Sequence, residues 1–235
     1  MPVNSNSYKK ISEELARKNV ALVAVSKTKP VEEIVALYEL GQRDFGENYV
    51  RELTPKYEQL PKDIHWHFIG HLQSNKVKYI APFVSLIHGV DSKKLLIEID
   101  KQGRKNNRVI DCLLQVHIAK EETKFGLDEK ELHELLSTDL PAGTQVITNY
   151  TNVRIRGLMG MASFTNDISI VRIEFKFLKS LFDKYSILPI GNCQLEFLSM
   201  GMSADYKIAI EQGSNMVRIG SLLFGERFQI FNDSL

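Results

Sequence analysis

Two lysines follow the apolar run "ALVAV", and either amine could act as a nucleophile. Lys27 and Lys29 stand directly before Pro30 in "ALVAVSKTKP". Lys27 keeps the alternate spacing of Val23 and Val25, so it projects from the same strand face as they do. Lys29 has that spacing too, but it precedes a proline, where the chain turns into a helix. Lys27 is therefore the predicted nucleophile, and Lys29 is predicted to be an electrostatic or solvated neighbour.

Two segments near the carboxyl end of the chain have the composition of a phosphate site. "SMGMS" contains Gly201 and "RIGSLLFG" contains Gly220, and both segments combine glycine with hydroxyl side chains. A phosphate is bound well by backbone N–H groups that it can approach closely, which such residues allow. Each segment alone would be explained by a tight turn. Because both follow neighbouring candidate strands, together they predict phosphate binding.

A lysine near a phosphate site suits carbonyl chemistry. An amine that is neutral at working pH condenses with an aldehyde to a Schiff base. Burial and the nearby charge of Arg218 would both favour the neutral form of Lys27. From these residues alone, a Schiff-base aldolase acting on a sugar phosphate is also possible.

The candidate residues lie at the ends of apolar segments that alternate with helical patterns along the chain. The candidate strands are "VALVAVS", "RDFGENY", "HWHFIGH", "VSLIHGV", "CLLQVHI", "IRGLMGMA", "EFLSMGM" and "NMVRIGS". Strict alternation favours parallel strands joined by helices, and eight strands in 235 residues predict a single (β/α)8 barrel of the TIM type. An open doubly wound sheet is the alternative. In both folds a ligand binds at the carboxyl ends of the strands.

The helical patterns between the strands carry recognisable start signals. Pro30 suits the first turn of the helix "VEEIVALYEL", and Asp128 is a predicted N-cap of "DEKELHELL". The longest pattern, "DISIVRIEFKFLKSLFDKYSI", has apolar residues at helical spacing that predict one face packed on a sheet. These residues are Val171, Phe175, Leu178 and Phe182. The remaining helical patterns are "VRELTPKYEQL", "SNKVKYIAPF" and "SKKLLIEIDKQGRKN".

Length and charge predict one domain over residues 1–235, with a helical segment at 1–19 and a short tail at 228–235. Thirty basic and 29 acidic residues give a net charge of +1, which argues against recruitment of nucleic acid or an anionic membrane. The polar N-terminus lacks the apolar core of a signal peptide. Cys112 and Cys193 have no paired spacing and are predicted to be reduced thiols. A cytoplasmic location is therefore expected.

Three histidines raise the question of a metal site. His65 and His67 alternate on one strand, and His71 follows four residues later. No cysteine or carboxylate stands at matching spacing nearby, and strand histidines often form ordinary hydrogen bonds. No metal is predicted.

Several motifs resemble those of a known family, in the same order along the chain. "AVSKTKP", "FGENYVRE", "HFIGHLQSNK", "KFGL", "LSMGMSADY" and "VRIGSLLFGER" are similar to motifs of the pyridoxal phosphate homeostasis proteins, which bind pyridoxal 5′-phosphate (PLP). The resemblance covers residues 20–227, and residues 143–166 fit it less closely. It implies a barrel of PLP fold type III, similar to the N-terminal barrel domain of alanine racemases but without their C-terminal β-domain.

The resemblance also implies roles for individual residues. It implies that Lys27 holds PLP as a Schiff base, that Asn48 lies beside the cofactor, and that Arg218 faces the pyridine nitrogen. It implies a phosphate site formed by Ser199, Met200, Gly220 and Ser221, largely through backbone N–H groups. An arginine keeps its proton, so the ring would be a weak electron sink.

The function that the resemblance implies is PLP (vitamin B6) homeostasis with little or no catalysis. The sequence ends with "FGERFQIFNDSL", so the β-domain that supplies a second base in alanine racemases is not expected. Tyr49 and Tyr206 lie near motif residues without further support for that role. A minimal PLP-dependent amino acid racemase is the alternative. The expected partners are PLP and PLP-dependent apoenzymes, and the expected state is a monomer.

Overall fold

The chain forms a closed barrel of eight parallel strands. The structure, a computed structural model, describes residues 3–121, 124–136, 150–187 and 193–225. Each strand pairs with the next in chain order, and β8 pairs with β1 to close the ring. The strands are β1 (Ala21–Val25), β2 (Asp44–Glu47), β3 (His65–Phe68), β4 (Leu86–Val90), β5 (Ile110–Gln115), β6 (Val153–Met159), β7 (Phe197–Met202) and β8 (Met216–Ile219). The barrel prediction is confirmed, and the open-sheet alternative is wrong.

Helices connect the strands on the outside of the barrel. Within the described ranges they are α1 (Ser5–Arg17), α2 (Val31–Glu39), α3 (Val50–Gln59), α4 (Val77–Ile80), α5 (Lys93–Lys105), α6 (Glu129–Leu136), α7 (Ile168–Ser186), α8 (Tyr206–Glu211) and α9 (Ser221–Phe224). The segment predicted as one helix over 74–83 is a 3₁₀ turn, Ser74–Lys76, followed by the four-residue α4. Sequence patterns did not predict α8 and α9, because elements of four to six residues show too little periodicity.

Two helix predictions are confirmed in detail. Asp128 caps α6: its Oδ1 accepts from the Glu131 N–H at 2.7 Å, and Glu131 Oε2 accepts from the Asp128 N–H at 3.0 Å. This reciprocal pair is a capping box, and such a cap contributes about 1 kcal/mol. In α7 the stripe residues Val171, Phe175 and Leu178 are buried, and Phe182 is partly buried against the core. Pro30 lies one residue earlier than predicted, directly before the first helical residue of α2.

The core has two parts because successive strand residues point to opposite faces. Inside the barrel lie Val23, Leu86, Leu113, Met159 and Met216. The larger cluster fills the space between the outer face of the sheet and the helices. Val23 thus faces the barrel interior, and side chains at alternate positions after it on β1 are expected on the same face, towards the mouth of the barrel.

Helix α1 packs against β1 and α9. It buries Tyr8, Ile11 and Leu15, and the Asn4 N–H donates to the Leu223 carbonyl at 2.9 Å. This helix lies within the segment 1–19, while the predicted tail 228–235 lies outside the described residues. In the part of the chain that the structure covers, no helix is both long and apolar enough to cross a bilayer.

Gly157 should be intolerant of any side chain. The β5–β6 register shifts after Cys112, and Gly157 then passes so close to β7 that a Cβ would lie 1.8 Å from the Phe197 carbonyl oxygen. We expect Gly157→Ala to lower the free energy of unfolding by roughly 3 kcal/mol, because backbone must move to admit the methyl group. Urea denaturation measures this.

Gly41→Ala is the matched control. Gly41 has a φ of +102°, and a methyl group on its Cα would meet no atom within 4 Å beyond its chain neighbours, so the substitution introduces backbone strain without a clash. Its loss should be smaller, about 1 to 2 kcal/mol. Equal losses in the two variants would contradict the steric explanation.

Candidate ligand site at the carboxyl ends of the strands

The predicted site residues occupy neighbouring strand ends. Lys27 lies two residues after β1, Asn48 directly follows β2, Ser199 and Met200 are in β7, Arg218 is in β8, and Gly220 and Ser221 form the junction of β8 with α9. Because β1 is hydrogen-bonded to both β2 and β8, the turn that carries Lys27 lies between the ends of the strands leading to Asn48 and Gly220. Barrel closure therefore brings the first and last motifs together.

Lys27 is partly buried and sits in a tight turn. The Lys29 N–H donates to the Ser26 carbonyl at 3.0 Å, which places Lys27 and Thr28 at the two central positions. Ser26 is anchored from below: its Oγ donates to Glu47 Oε1 at 2.6 Å, and Lys56 Nζ donates to its carbonyl at 2.9 Å. The backbone that carries Lys27 is therefore fixed to β2 and α3.

Lys29 has a different role from Lys27. Its Nζ donates to the Phe224 carbonyl at 2.7 Å and lies 3.5 Å from Glu33 Oε2. Only 14% of its side chain is exposed. Lys29 thus joins the start of α2 to the end of α9, which fits its interpretation as an electrostatic neighbour.

Asn48 presents an acceptor that the described residues do not use. Its Oδ1 is buried and has no hydrogen-bond donor among them. A buried polar atom without a partner costs roughly 1 to 3 kcal/mol, which makes Asn48 Oδ1 a candidate for a ligand contact. Gly70 lies against it, and a Cβ there would be 2.4 Å from the Asn48 carbonyl oxygen. Only glycine allows this close approach.

A cavity of about 770 Å³ opens beside Asn48 and Gly70, between the β2–α3 and β3–α4 connections. Its volume suits a small-molecule ligand. Arg51 and Lys76 line it, and each lies over a tyrosine ring, Tyr49 at 5.5 Å and Tyr79 at 5.7 Å respectively. This cavity therefore has a positively charged rim, and Asn48 is the one predicted site residue that lines it.

Arg218 is a charged group buried without a carboxylate partner. Only 3% of it is exposed, and in the described ranges no acidic side chain forms an ion pair with it. Its Nη1 donates to the Ser199 carbonyl at 2.8 Å and its Nη2 to the Gly160 carbonyl at 3.1 Å. Burial lowers the pKa of Arg218 to about 10, with the Asp205 charge opposing that shift, so the guanidinium is still protonated at neutral pH.

A chain of hydrogen bonds runs from Arg218 through the barrel interior to Asp44. Arg218 Nη1 lies 2.6 Å from Ser199 Oγ, which is 3.1 Å from His88 Nδ1. His88 Nε2 is 2.9 Å from His67 Nδ1, and His67 Nε2 is 3.0 Å from Asp44 Oδ1. Arg218 can only donate and the Asp44 carboxylate can only accept. With Ser199 Oγ donating to His88 Nδ1, every hydrogen bond of the chain points from Arg218 towards Asp44, and Nε2 of each imidazole is the donor.

The chain explains two pKa shifts. Burial, and then the charges of His67 and Arg218, lower the pKa of His88 well below 6.5. Burial of Asp44 opposes ionisation, but hydrogen bonds and charge from His67 and His65 hold its pKa below its ordinary value. Asp44 has 41% of its side chain exposed, so the chain reaches solvent at the amino-terminal end of the barrel.

Two predicted phosphate contacts are placed deep in the fold. The Ser199 hydroxyl is occupied by Arg218 and His88, and Ser199 is fully buried. Met200 belongs to the cluster between sheet and helices, so its backbone is the part that can reach the mouth. Gly220 N–H donates to Ser203 Oγ at 3.2 Å, and Ser221 is exposed at the start of α9. The phosphate roles of these residues stay predictions.

The histidines considered for metal binding separate into two hydrogen-bonded groups. His65 and His67 both contact Asp44, at 3.2 and 3.0 Å, whereas His71 pairs with Asp91 at 2.8 Å. Among the described residues no group of three or more His, Cys, Asp or Glu side chains could hold a metal ion.

Sequence reasoning missed several polar residues of the interior and of the Lys27 turn. His88 stands in the apolar segment "VSLIHGV", where a lone histidine was not distinguished from the surrounding strand. Glu47 and Lys56 form a buried ion pair at 2.7 Å. One signal in the sequence could have pointed to Lys56. Glu52 and Lys56 are four residues apart in a helical pattern, which places them on one face of the helix as a possible ion pair.

We expect the protein to become less stable as the pH falls below 6.5, partly because of His88. Below pH 6.5 the unfolded chain protonates this imidazole while the folded protein, whose His88 pKa is depressed, does not. The free energy of unfolding should therefore decrease with falling pH by up to about 1.4 kcal/mol per unit from this residue, until the depressed pKa is reached. Urea denaturation across this range should show a smaller slope in His88→Gln.

Ser199→Ala is the control for that measurement. It interrupts the same hydrogen-bond chain but removes no titratable group, so it should lower stability and keep the wild-type slope. An unchanged slope in His88→Gln would contradict the assignment of the titration to this imidazole.

The sequence and the fold both match known proteins. Residues 5–228 match the family model described as alanine racemase, N-terminal domain. A pyridoxal phosphate homeostasis protein of Aquifex aeolicus is 44% identical over 207 residues, which is 88% of this chain and 86% of that protein.

Two structures of PipY from Synechococcus elongatus PCC7942 are also similar. The structure without PLP has a TM-score of 0.84 at 31% identity and covers 94% of this chain and 99% of that chain. The structure with PLP bound has a TM-score of 0.76 at 33% identity and covers 88% of this chain and 93% of that chain. The chain therefore belongs to the pyridoxal phosphate homeostasis protein family, with the barrel fold of the alanine racemase N-terminal domain.

Proposed function

We propose that this protein binds PLP at the barrel mouth, holds it covalently on Lys27, and serves PLP homeostasis with little or no catalysis. PLP supplies an aldehyde that condenses reversibly with a primary amine and releases one water, and it supplies a phosphate and a pyridine nitrogen for recognition. The observation that carries the proposal is the placement of Lys27, Asn48 and the buried Arg218 on or directly after the hydrogen-bonded neighbours β1, β2 and β8.

The residues present suit this cofactor. The unpartnered Asn48 Oδ1 offers an acceptor beside the Lys27 turn. Arg218 offers a buried positive charge that is balanced by carbonyl and hydroxyl groups, which leaves it available to an electron-rich ligand atom. The backbone around Met200, Gly220 and Ser221 is the proposed phosphate site, and Ser221 lies exposed at the start of α9.

The surroundings of Lys27 favour holding over turnover. Arg218 remains protonated at neutral pH, so a ring nitrogen facing it would stay unprotonated and withdraw electrons weakly. Tyr206 is buried, its hydroxyl lies 3.5 Å from Glu14 Oε2, and burial and Glu14 raise its pKa. A buried tyrosine engaged with α1 is a poor acid or base for the opposite face of a cofactor.

The proposal includes a cytoplasmic location and a monomeric state. Cys112 and Cys193 are free thiols, and burial raises the pKa of Cys112 well above its ordinary value and that of Cys193 to about 12. Such thiols are unreactive and suit a reducing cytoplasm. A reversible bond to Lys27 suits release of PLP to apoenzymes by a monomeric carrier.

Borohydride trapping tests the site. Protein mixed with PLP should develop the absorbance of a lysine-bound cofactor, and reduction followed by peptide mass mapping should find the added mass on Lys27. Lys27→Ala should lose both signals, whereas Lys29→Ala should keep them, since Lys29 contacts Phe224 and Glu33 instead.

Two outcomes would overturn parts of the proposal. Modification of another lysine, or of none, would contradict the assignment of Lys27. Formation of D-amino acids from single L-amino acids, at a rate far above that of Lys27→Ala, would favour the racemase alternative.

A further inference from the structure

The turn that carries Lys27 adopts a conformation that its own sequence disfavours. Thr28, the residue after Lys27, has a φ of +64°. A positive φ at this turn position is usually provided by glycine or asparagine, and for a β-branched residue it is strained. Something outside the turn must therefore hold Thr28 in place.

Glu52, in the first turn of α3, makes the contact that holds it. Glu52 Oε2 accepts from the Thr28 N–H at 2.7 Å and lies 3.6 Å from Lys56 Nζ. Lys56 Nζ in turn donates to the Ser26 carbonyl at 2.9 Å and to Glu47 Oε1 at 2.7 Å. The residues on both sides of Lys27 are thus attached to one charged cluster.

Burial of the cluster increases from Glu52, near the surface, to Glu47, in the interior. Exposed fractions are 0% for the Glu47 side chain, 9% for Lys56 and 23% for Glu52. Burial raises the pKa of Glu47, although the charge and the hydrogen bond of Lys56 oppose the shift. Buried ion pairs give little net stability compared with apolar packing. Stability alone therefore does not explain why the Glu47–Lys56 pair is buried here.

We propose that Glu52 and Lys56 are positioning residues for Lys27: they lock the strained Ser26–Lys29 turn so that the Lys27 amine starts from one backbone position. This inference rests on the proposed attachment of PLP to Lys27. Neither residue needs to touch the cofactor, because both act through the Ser26 carbonyl and the Thr28 N–H. Without these contacts the Lys27 amine would occupy a wider range of positions. Its reaction with PLP would then be slower, because small displacements of a reacting group reduce the rate.

The test compares two ligands that differ only in the reactive group. PLP attachment is followed by absorbance, and binding of pyridoxine 5′-phosphate, which lacks the aldehyde, by calorimetry. In Glu52→Leu we expect attachment at least ~10-fold slower, with the affinity for pyridoxine 5′-phosphate within about twofold of wild type. Glu52→Gln keeps an oxygen acceptor for the Thr28 N–H and should restore most of the rate.

Thr28→Gly provides a second arm. Glycine adopts a positive φ without strain, so Glu52→Leu should slow attachment less in a Thr28→Gly background than in wild type. Glu121→Leu is the matched control, because Glu121 Oε1 also accepts a loop N–H, that of Phe164 at 2.8 Å, and also pairs with a lysine, Lys124. It should leave the rate unchanged, and thermal melts confirm that each variant is folded.

The outcomes separate the two proposals. If wild-type protein attaches no PLP, the proposed function fails and this inference with it. If wild type attaches PLP and folded Glu52→Leu attaches it at the same rate, only the positioning role is overturned. An equal loss of PLP attachment and pyridoxine 5′-phosphate binding would also overturn it, because the damage would then extend beyond the Lys27 turn.

Discussion

Pairing of β1 with β8 is the constraint on which the site depends. Four residues of β1, Ala21 to Ala24, are in register with Met216 to Ile219, and Val23 lies opposite Arg218. Almost the whole chain separates these strands, so closure requires all the intervening strands to be in place. Once they are, the end of β1 with Lys27 adjoins the end of β8 with Gly220, and the proposed site draws on both segments.

Closure also forces the barrel to accommodate Arg218 in its interior. A buried charge without a carboxylate costs several kcal/mol unless hydrogen bonds replace its hydration. Carbonyl groups of Ser199 and Gly160 and the Ser199 hydroxyl do so, and each bond to a charged group contributes about 1.5 to 3 kcal/mol. The Ser199 hydroxyl also lies 3.1 Å from His88 Nδ1, so the guanidinium and this imidazole share it. Polarity in the barrel interior is thus organised around one guanidinium.

The two lysines of "SKTKP" show how context separates similar residues. Their parity on the strand is the same, yet Lys29 is committed to Phe224 and Glu33 while Lys27 occupies the turn between β2 and β8. Strand position and the following proline predicted this difference in place, and the chemical role of Lys27 stays a proposal. The conformation of the turn was not foreseeable, because a threonine with a positive φ is stabilised by Glu52, which lies 24 residues away along the chain.

The sequence by itself determined the eight-strand alternation, the α6 cap, the buried face of α7 and the ordered motifs that carry the family resemblance. These features depend on local spacing, on turn chemistry and on residue identity, which can be read along the chain. Only the tertiary structure decided the partners of Arg218, the His67–His88 contact and the Glu47–Lys56 pair. Their hydrogen bonds join residues from different strands and helices, and no local pattern specifies which distant group satisfies a buried polar atom. The sequence therefore predicts which residues could do chemistry, and barrel closure decides how each of them is held.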